Sequence, residues 1–525
     1  MISYTSMRQR ILASLIIAGQ LAAQSVVVPL YRQKLATFYA PGDARVPPAL
    51  SRASRSATAS DGAEWTANTP GLLRSDPRAT PRDRTQYFAG RRYLPDDEAL
   101  ALAPDNEAGM WVRTRTGVVH IELRRMTLEA KAALFETRIR ERHDRYGLVA
   151  SSTLAKPGDL SSNQLSSDDN DGLWTAMYAS AECFRYAATH DPEALARAVR
   201  STNAVLFLEH VTGRAGFPAR SYIRKGDPRP LDGIWRTTAD GQYEWKADTS
   251  SDEIVGHFLL FSVAYDLLPR PELRARIQTT AQRIMDHILI HGYTLTDVDG
   301  KPTTWGRWDR PYFESPGGKP DSPLNALELL SFLKTAAHVT GDAKYEREYR
   351  KVALDLLYAR QAERLLELSD EINYSDEELA MLSFYPLLRY EKDERLLSFY
   401  RSALDQWWKN IQRERNPLWI FIHALGRAAT TAQFQDAIWT LNRIPMDLVE
   451  WTVINSKRRD VPLDGGPDRF KEPQSTLLLP PDERPVSKWN GNPFRIDGGN
   501  GGAGEDDGAF FLLPYWMGRY HGFLN

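Results

Sequence analysis

The sequence predicts an all-α protein, on three observations. Apolar residues recur at three- and four-residue spacing in about twelve successive windows after Thr127, each bounded by Pro, Gly or Asp. Strand-type alternation is confined to one stretch, Trp111 to Leu123, around Gly117. The connectors between windows are now short, now long, as a chain of antiparallel helical hairpins requires.

Taken in order, residues 1–24 carry Arg8 and Arg10 ahead of an apolar run, Ile11 to Ala23. That run is shorter than the roughly 20 residues a bilayer-spanning helix needs. It reads as a signal peptide cleaved near Ala23 or Gln24, which predicts a secreted or periplasmic protein with no membrane span after cleavage. Residues 25–126 read as an irregular arm, because Pro47-Pro48 and the stretch from Ser51 to Ser60 carry no helical period. Within the arm, the Trp111 to Leu123 alternation suits a small β hairpin.

The helical domain is expected over 127–525, with windows at 127–145, 172–190, 192–212, 251–268, 271–291, 323–340, 342–366, 375–391, 393–411, 417–429, 431–444 and 506–521. The even-numbered helices, except the last, pass to their successors through tight turns such as His190-Asp191-Pro192 and Thr340-Gly341-Asp342. Most return connectors are long, at 146–171, 213–250, 292–322 and 445–505, while those at 367–374 and 412–416 are short. Long loops therefore gather at one end, where a cleft forms. Closing the six hairpins into a ring gives an (α/α)6 toroid with the even-numbered helices inside.

The formal net charge is −2 and no basic stripe is present, so neither nucleic acid nor an anionic membrane surface is an expected partner. Cys183 is the only cysteine, which rules out an intrachain disulfide and a cysteine-built zinc site. The 14 Trp and 22 Tyr residues exceed what a helical core readily satisfies, and a surplus of rings suits a cleft wall.

Each even-numbered helix begins in a polar or acidic cluster: Asp168 to Asp171, Asp248 to Glu253, Asp321-Ser322, Asn373 to Glu378, Asn416-Pro417 and Glu505 to Asp507. Helix capping explains one such residue per helix, but not the density of the first two clusters. Surplus acids in a mouth supplied with Trp fit glycoside cleavage. That reaction needs a proton donor for the leaving oxygen and a second carboxylate acting on water or on the anomeric carbon. Asp171, Asp252 and Glu253 lead the catalytic candidates, with Asp248 and Asp376 beside them. Trp174, Trp245, Trp305, Trp308, Trp451 and Trp489 supply rings, and Arg307, Asp309 and Tyr374 supply polar contacts to the glycan. Two alternatives use the same region. A uronate lyase would take the C5 proton with His257 or Tyr374, and a non-catalytic glycan-binding protein would hold sugar on Trp305 and Trp308.

Asp169, Asp171 and Gly172 fall at offsets resembling part of a calcium loop, but Ser167 occupies the first ligand position and Tyr178 replaces the bidentate Glu. No metal or other cofactor is expected, with calcium at Asp168 to Asp171 the single alternative. Gly498 to Gly504 reads as a flexible lid or hinge.

The strings DNDGLWTAMY, DTSSDEIVGH and TTWGRW, together with the hairpin count, give the chain from 127 to 521 a resemblance to the (α/α)6 toroids of carbohydrate-active enzymes. That superfamily holds glycoside hydrolases and polysaccharide lyases. The resemblance implies a glycan substrate; it assigns no individual catalytic residue.

Overall fold

A computed structural model describes residues 26–525 except 27, 29, 52, 53, 69, 370, 371, 486, 487 and 489. The signal-peptide reading and Trp489 lie outside the described residues. The fold is mixed α and β rather than all-α, with 44% helix and 18% strand, and among the described residues the strands form seven small sheets.

Most of the correction falls on the supposed irregular arm. It carries eight strands: β1 (Tyr31–Tyr39), β2 (Ser56–Thr58), β3 (Glu64–Ala67), β4 (Leu72–Ser75), β5 (Thr85–Phe88), β6 (Ala99–Pro104), β7 (Met110–Thr114) and β8 (Val118–Met126). One antiparallel sheet has the order β1-β8-β7-β6 and a second runs β2-β3-β4-β5. The predicted hairpin is β7–β8, but it lies inside the larger sheet. β1 buries the polar Gln33 and Lys34 and β6 buries Ala101, Leu102 and Ala103 in an unbroken run, while β3, β4 and β5 bury two side chains each, too few to register as a period. Apolar side chains of both sheets nonetheless meet in one core, with Trp65, Leu72, Phe88, Met110, Val119 and Ile121 at its centre. The remaining small sheets are built from the long connectors, for example Ser221–Arg224 with Tyr243–Lys246 and Thr294–Thr296 with Pro302–Arg307.

Twelve principal helices follow: α1 (Leu128–Arg142), α2 (Asp171–Thr189), α3 (Pro192–Val211), α4 (Ser251–Leu267), α5 (Pro271–Ile290), α6 (Ser322–Thr340), α7 (Ala343–Arg350), α8 (Tyr374–Tyr390), α9 (Glu394–Ile411), α10 (Pro417–Gly426), α11 (Thr431–Arg443) and α12 (Ala509–Tyr520). Their starts follow local chemistry. Asp191, Asp342, Asp393 and Asn416 each accept a hydrogen bond from the first turn, and Thr430 forms a capping box with Gln433. Gly341 ends α6 in the left-handed region that its missing Cβ permits.

The even-numbered helices α2, α4, α6, α8, α10 and α12 pack in that order, and α12 returns to α2. The odd-numbered helices back them from outside. Burial follows this placement. The described side chains from Ser322 to Ala336 are all buried, whereas α9 buries a single stripe that includes Leu396, Tyr400, Leu404 and Trp407. Close approach of α2 and α4 depends on Gly256, where an added Cβ would meet the Leu173 backbone Cα at 2.7 Å. The outer helix expected over 342–366 is interrupted. After α7 come a π turn at Lys351–Asp355, a left-handed Leu357 at φ 62°, and short helices at Tyr358–Ala362 and Leu365–Leu368. No helix among the described residues is long and apolar enough to cross a membrane.

Buried charge joins the sheets to the helices. Lys34 on β1 lies 2.7 Å from Asp482, and Arg443 at the end of α11 lies 2.8 Å from Asp482 and 3.0 Å from Glu483. The Tyr87 amide on β5 donates to Glu483 at 3.0 Å. Lys131 on α1, fully enclosed, donates to Gln33 Oε1 at 2.9 Å, to the Leu441 and Asn442 carbonyls at 3.0 Å, and to the Ile444 carbonyl. It thus caps the C-terminus of α11 while holding β1. Burial pushes the Lys131 amine well below its usual range, so each of these bonds matters to its retention. Lys131→Met should leave those carbonyls without a donor and lower unfolding free energy by about 2–4 kcal/mol, read as a shift of the denaturation midpoint.

Candidate active site

The N-terminal ends of the inner helices converge on one mouth, and the candidates divide into enclosed and reachable groups. Asp171, the first residue of α2, is fully buried. It pairs with Arg145, accepts from the Ser221 hydroxyl, and accepts the Asp168 amide at 3.0 Å. Burial raises its carboxyl to about 6 against the pull of Arg145. Glu253 is equally enclosed. It accepts the Gly172 amide at 3.1 Å, and its other oxygen makes no hydrogen bond among the described residues, lying 3.9 Å from His257 Nδ1. Burial pushes its carboxyl well above the usual range, with Arg220 opposing. His257 sits one turn deeper with Nδ1 2.6 Å from the Glu253 carbonyl, the proton assigned to Nδ1 by that acceptor. Burial lowers this imidazole to about 4, which keeps it neutral.

Asp252 and Asp376 are half-buried and open to the mouth. Asp252 accepts from the Asn170 amide at 2.7 Å, and Asn170 is itself held by the Ser250 hydroxyl at 3.0 Å and by Arg220 at 3.2 Å. Burial raises the Asp252 carboxyl, with Arg220 opposing. Asp376 is raised to about 7, first by burial, then by the charge of Asp321, with Asp252 adding to it. Asp321 accepts from the Tyr312 hydroxyl at 2.8 Å, and Arg307 lies over the Tyr312 ring at 5.1 Å while pairing with Asp309 at 2.9 Å. Beneath these groups, Glu378 and Glu328 are enclosed, pushed up by burial and further by Asp252. On the wall, Lys488 lies 5.6 Å from the centre of the Trp174 ring and 3.1 Å from Asp506.

The remaining candidates are placed as follows. Asp248, left-handed at φ 53°, accepts from the amide and hydroxyl of Thr304 at 2.8 and 2.9 Å and clips two loops together. Trp245 and Trp308 are buried, and Trp308 donates its indole N–H to Glu328 at 2.8 Å, so neither ring face is free to stack on a sugar. Trp305 is 53% exposed on its strand. Asp309 caps the short helix Arg310–Glu314. Tyr374 is half-buried, and burial raises its phenol above the usual range. The first cluster faces cations of the protein itself: Asp169 pairs with Lys246 and Asp171 with Arg145. Among the described residues no group of three or more His, Cys, Asp or Glu is arranged to hold a metal. Gly499 and Gly502 at the glycine-rich stretch pack against Trp451, whose indole donates to Asp447 at 2.7 Å.

Sequence reasoning missed Lys488 and Glu378. Lys488 stands in the longest connector with no period to place it. Glu378 stands in the Asn373 to Glu378 cluster, and its position one turn into α8, below Tyr374, was the available signal.

No known protein family and no curated protein matches the chain. Solved structures similar to it include a sugar epimerase from a ruminal bacterium, at TM-score 0.39 and 13% identity over 75% of this chain and 97% of that one. A single-mutant thermostable endoglucanase from Alicyclobacillus acidocaldarius has TM-score 0.39 and 13% identity over 88% and 97%. AaCel9A in complex with cellobiose-like isofagomine has TM-score 0.39 and 12% identity over 94% and 98%.

The acids give a stability profile with two limbs. A carboxyl raised in the folded state keeps its proton after the unfolded chain has lost it, so stability falls as pH rises between the two values. Asp171 at about 6, Asp376 at about 7 and Glu414 at about 8, the last buried in the turn after α9 where it accepts the Trp419 indole N–H at 3.2 Å, act in this sense from about pH 4 upward. Asp482 and Glu505, held at about 2, act oppositely, and their contribution is lost as pH falls from about 4. His257, His287 and His423, each lowered to about 4, also act oppositely, because the unfolded chain takes up their protons first as pH falls below about 6.5. The two sets oppose one another between pH 5 and pH 8, so the thermal midpoint of Glu414→Gln relative to wild type should rise from pH 5 to pH 8; a difference independent of pH would contradict this assignment.

Proposed function

We propose that the chain is a carbohydrate-active enzyme that cleaves a glycosidic bond of an oligo- or polysaccharide, with Asp376 as proton donor and Asp252 as the second carboxylate. One observation carries the reading: Asp376 is reachable from the mouth, yet it holds its proton to about pH 7 because it is partly enclosed among other acids. That is the state a general acid needs at neutral pH. As the bond from the anomeric carbon to the leaving oxygen breaks, the Asp376 proton passes to that oxygen. Asp252, kept in place by Asn170, acts on water or on the anomeric carbon. Trp174 and Lys488 on the wall give a ring face and a cationic donor for sugar hydroxyls.

The enclosure of Asp171 and Glu253 favours supporting positions for both. His257 is enclosed and binds a proton only below about pH 4, and the raised Tyr374 phenol keeps its proton at neutral pH, so neither is poised to take the C5 proton in the lyase reading. Asp376→Asn and Asp252→Asn should each lower kcat by roughly 10²- to 10⁴-fold without lowering the thermal midpoint. The wild-type rate should fall above about pH 7, a limb absent from any residual rate of Asp376→Asn. The assay follows reducing ends and ultraviolet absorbance together on neutral and uronate glycans. Absorbance rising with reducing ends would replace this reading with elimination, and tight binding without turnover would replace it with glycan binding alone.

A further inference from the structure

The interruption of the outer helix builds a cavity. The π turn and the left-handed Leu357 turn the chain at the mouth end of α7 so that Tyr358–Ala362 lies against residues 310–319. A leucine at positive φ is strained, and π turns within helices recur at functional sites. The cavity has a volume of about 570 Å³, enough for one or two sugar rings. Arg310, Lys319, Arg360 and Arg364 line it against one acid, Glu314. Of the four cations, Arg364 alone forms an ion pair among the described residues, with Glu367.

This basic cavity shares a wall with the acidic mouth. Gln361 donates to the Ser322 hydroxyl at 2.7 Å at the start of α6, and the Tyr358 hydroxyl donates to the Trp308 carbonyl at 2.7 Å. Tyr312, which holds Asp321, immediately precedes the cavity-lining Phe313 and Glu314. An anion is therefore repelled by one compartment and drawn into its neighbour.

We propose that this cavity is an anion subsite, taking the oxyanion of an acidic sugar residue while the scissile bond lies at the mouth; the inference rests on the glycan reading above. Calorimetric titration of the full chain would compare a neutral tetrasaccharide with a uronate tetrasaccharide and a sulfated one. At least one acidic ligand should bind on the order of tenfold more tightly than the neutral one. The preference should shrink as salt rises. It should be lost in the double variant Arg360→Gln, Lys319→Gln, whose exposed head groups make the thermal midpoint insensitive to the change. Comparing the two acidic ligands identifies the oxyanion as carboxylate or sulfate ester. Equal binding of neutral and acidic ligands, an acidic preference that survives in the double variant, or no binding at all would overturn the proposal. Because binding is read directly, absence of turnover would count against the enzyme reading alone, and turnover of glycans without acidic preference would count against the subsite alone.

Discussion

The buried cluster around Asp482 is the constraint on which the arrangement of the whole chain depends. Lys34, Arg443 and Glu483 meet that carboxylate in the interior, where burial alone would raise it, and the two cations hold it at about 2 instead. An enclosed charge is tolerable only when its partners are all present. The cluster therefore admits one placement of β1, of the end of α11 and of the 480–484 turn. Lys131 repeats the logic a short distance away by joining α1, β1 and the last carbonyls of α11. Apolar contact alone would tolerate small sliding between sheet and helices; directional bonds to fixed carbonyls do not.

The mouth resolves a different tension. Inner-helix N-termini favour carboxylates through their unpaired N–H groups, while enclosure disfavours the charge that makes the carboxylate useful. Where the carboxyl is fully enclosed with a cation, as at Asp171 with Arg145, it ties loops to the helix start through Arg145, the Ser221 hydroxyl and the Asp168 amide. Where acids face one another with partial access to solvent, as at Asp376 with Asp321 and Asp252, a proton is retained near neutrality. Burial raises both carboxyls, and neighbours from other parts of the chain set how far: Arg145 restrains Asp171 at about 6, while Asp321 and Asp252 push Asp376 to about 7.

That dependence explains what was legible beforehand. Helix bounds such as 192–211 and 271–290 fall within a residue or two of the periodic windows, because long amphipathic repeats and a proline at the first helical position are local signals. The β1–β8 pairing was invisible, since Tyr31 and Met126 are brought together by register over a long separation. Much of the second sheet consists of three- or four-residue strands whose alternation is too brief to count. That Asp252 and Asp376 stand in the first turns of inner helices was legible from their position. That Trp308 turns inward onto Glu328 while Trp305 stays outside could not be read from TTWGRW, because alternation along a strand fixes opposite faces without saying which is inside.

The order in which the ring closes has a consequence for biogenesis. The gap between α10 and α2 is filled by α12, which is separated from α11 by the longest connector. During synthesis the first five inner helices emerge with two apolar edges still uncovered, and these stay so until residues 509–520 have been made. A chain interrupted anywhere in the 445–505 stretch carries nearly all of the core but presents both edges to chaperones and proteases. The last inner helix thus acts as a completeness check, one that a truncated product fails regardless of how well its earlier helices have packed.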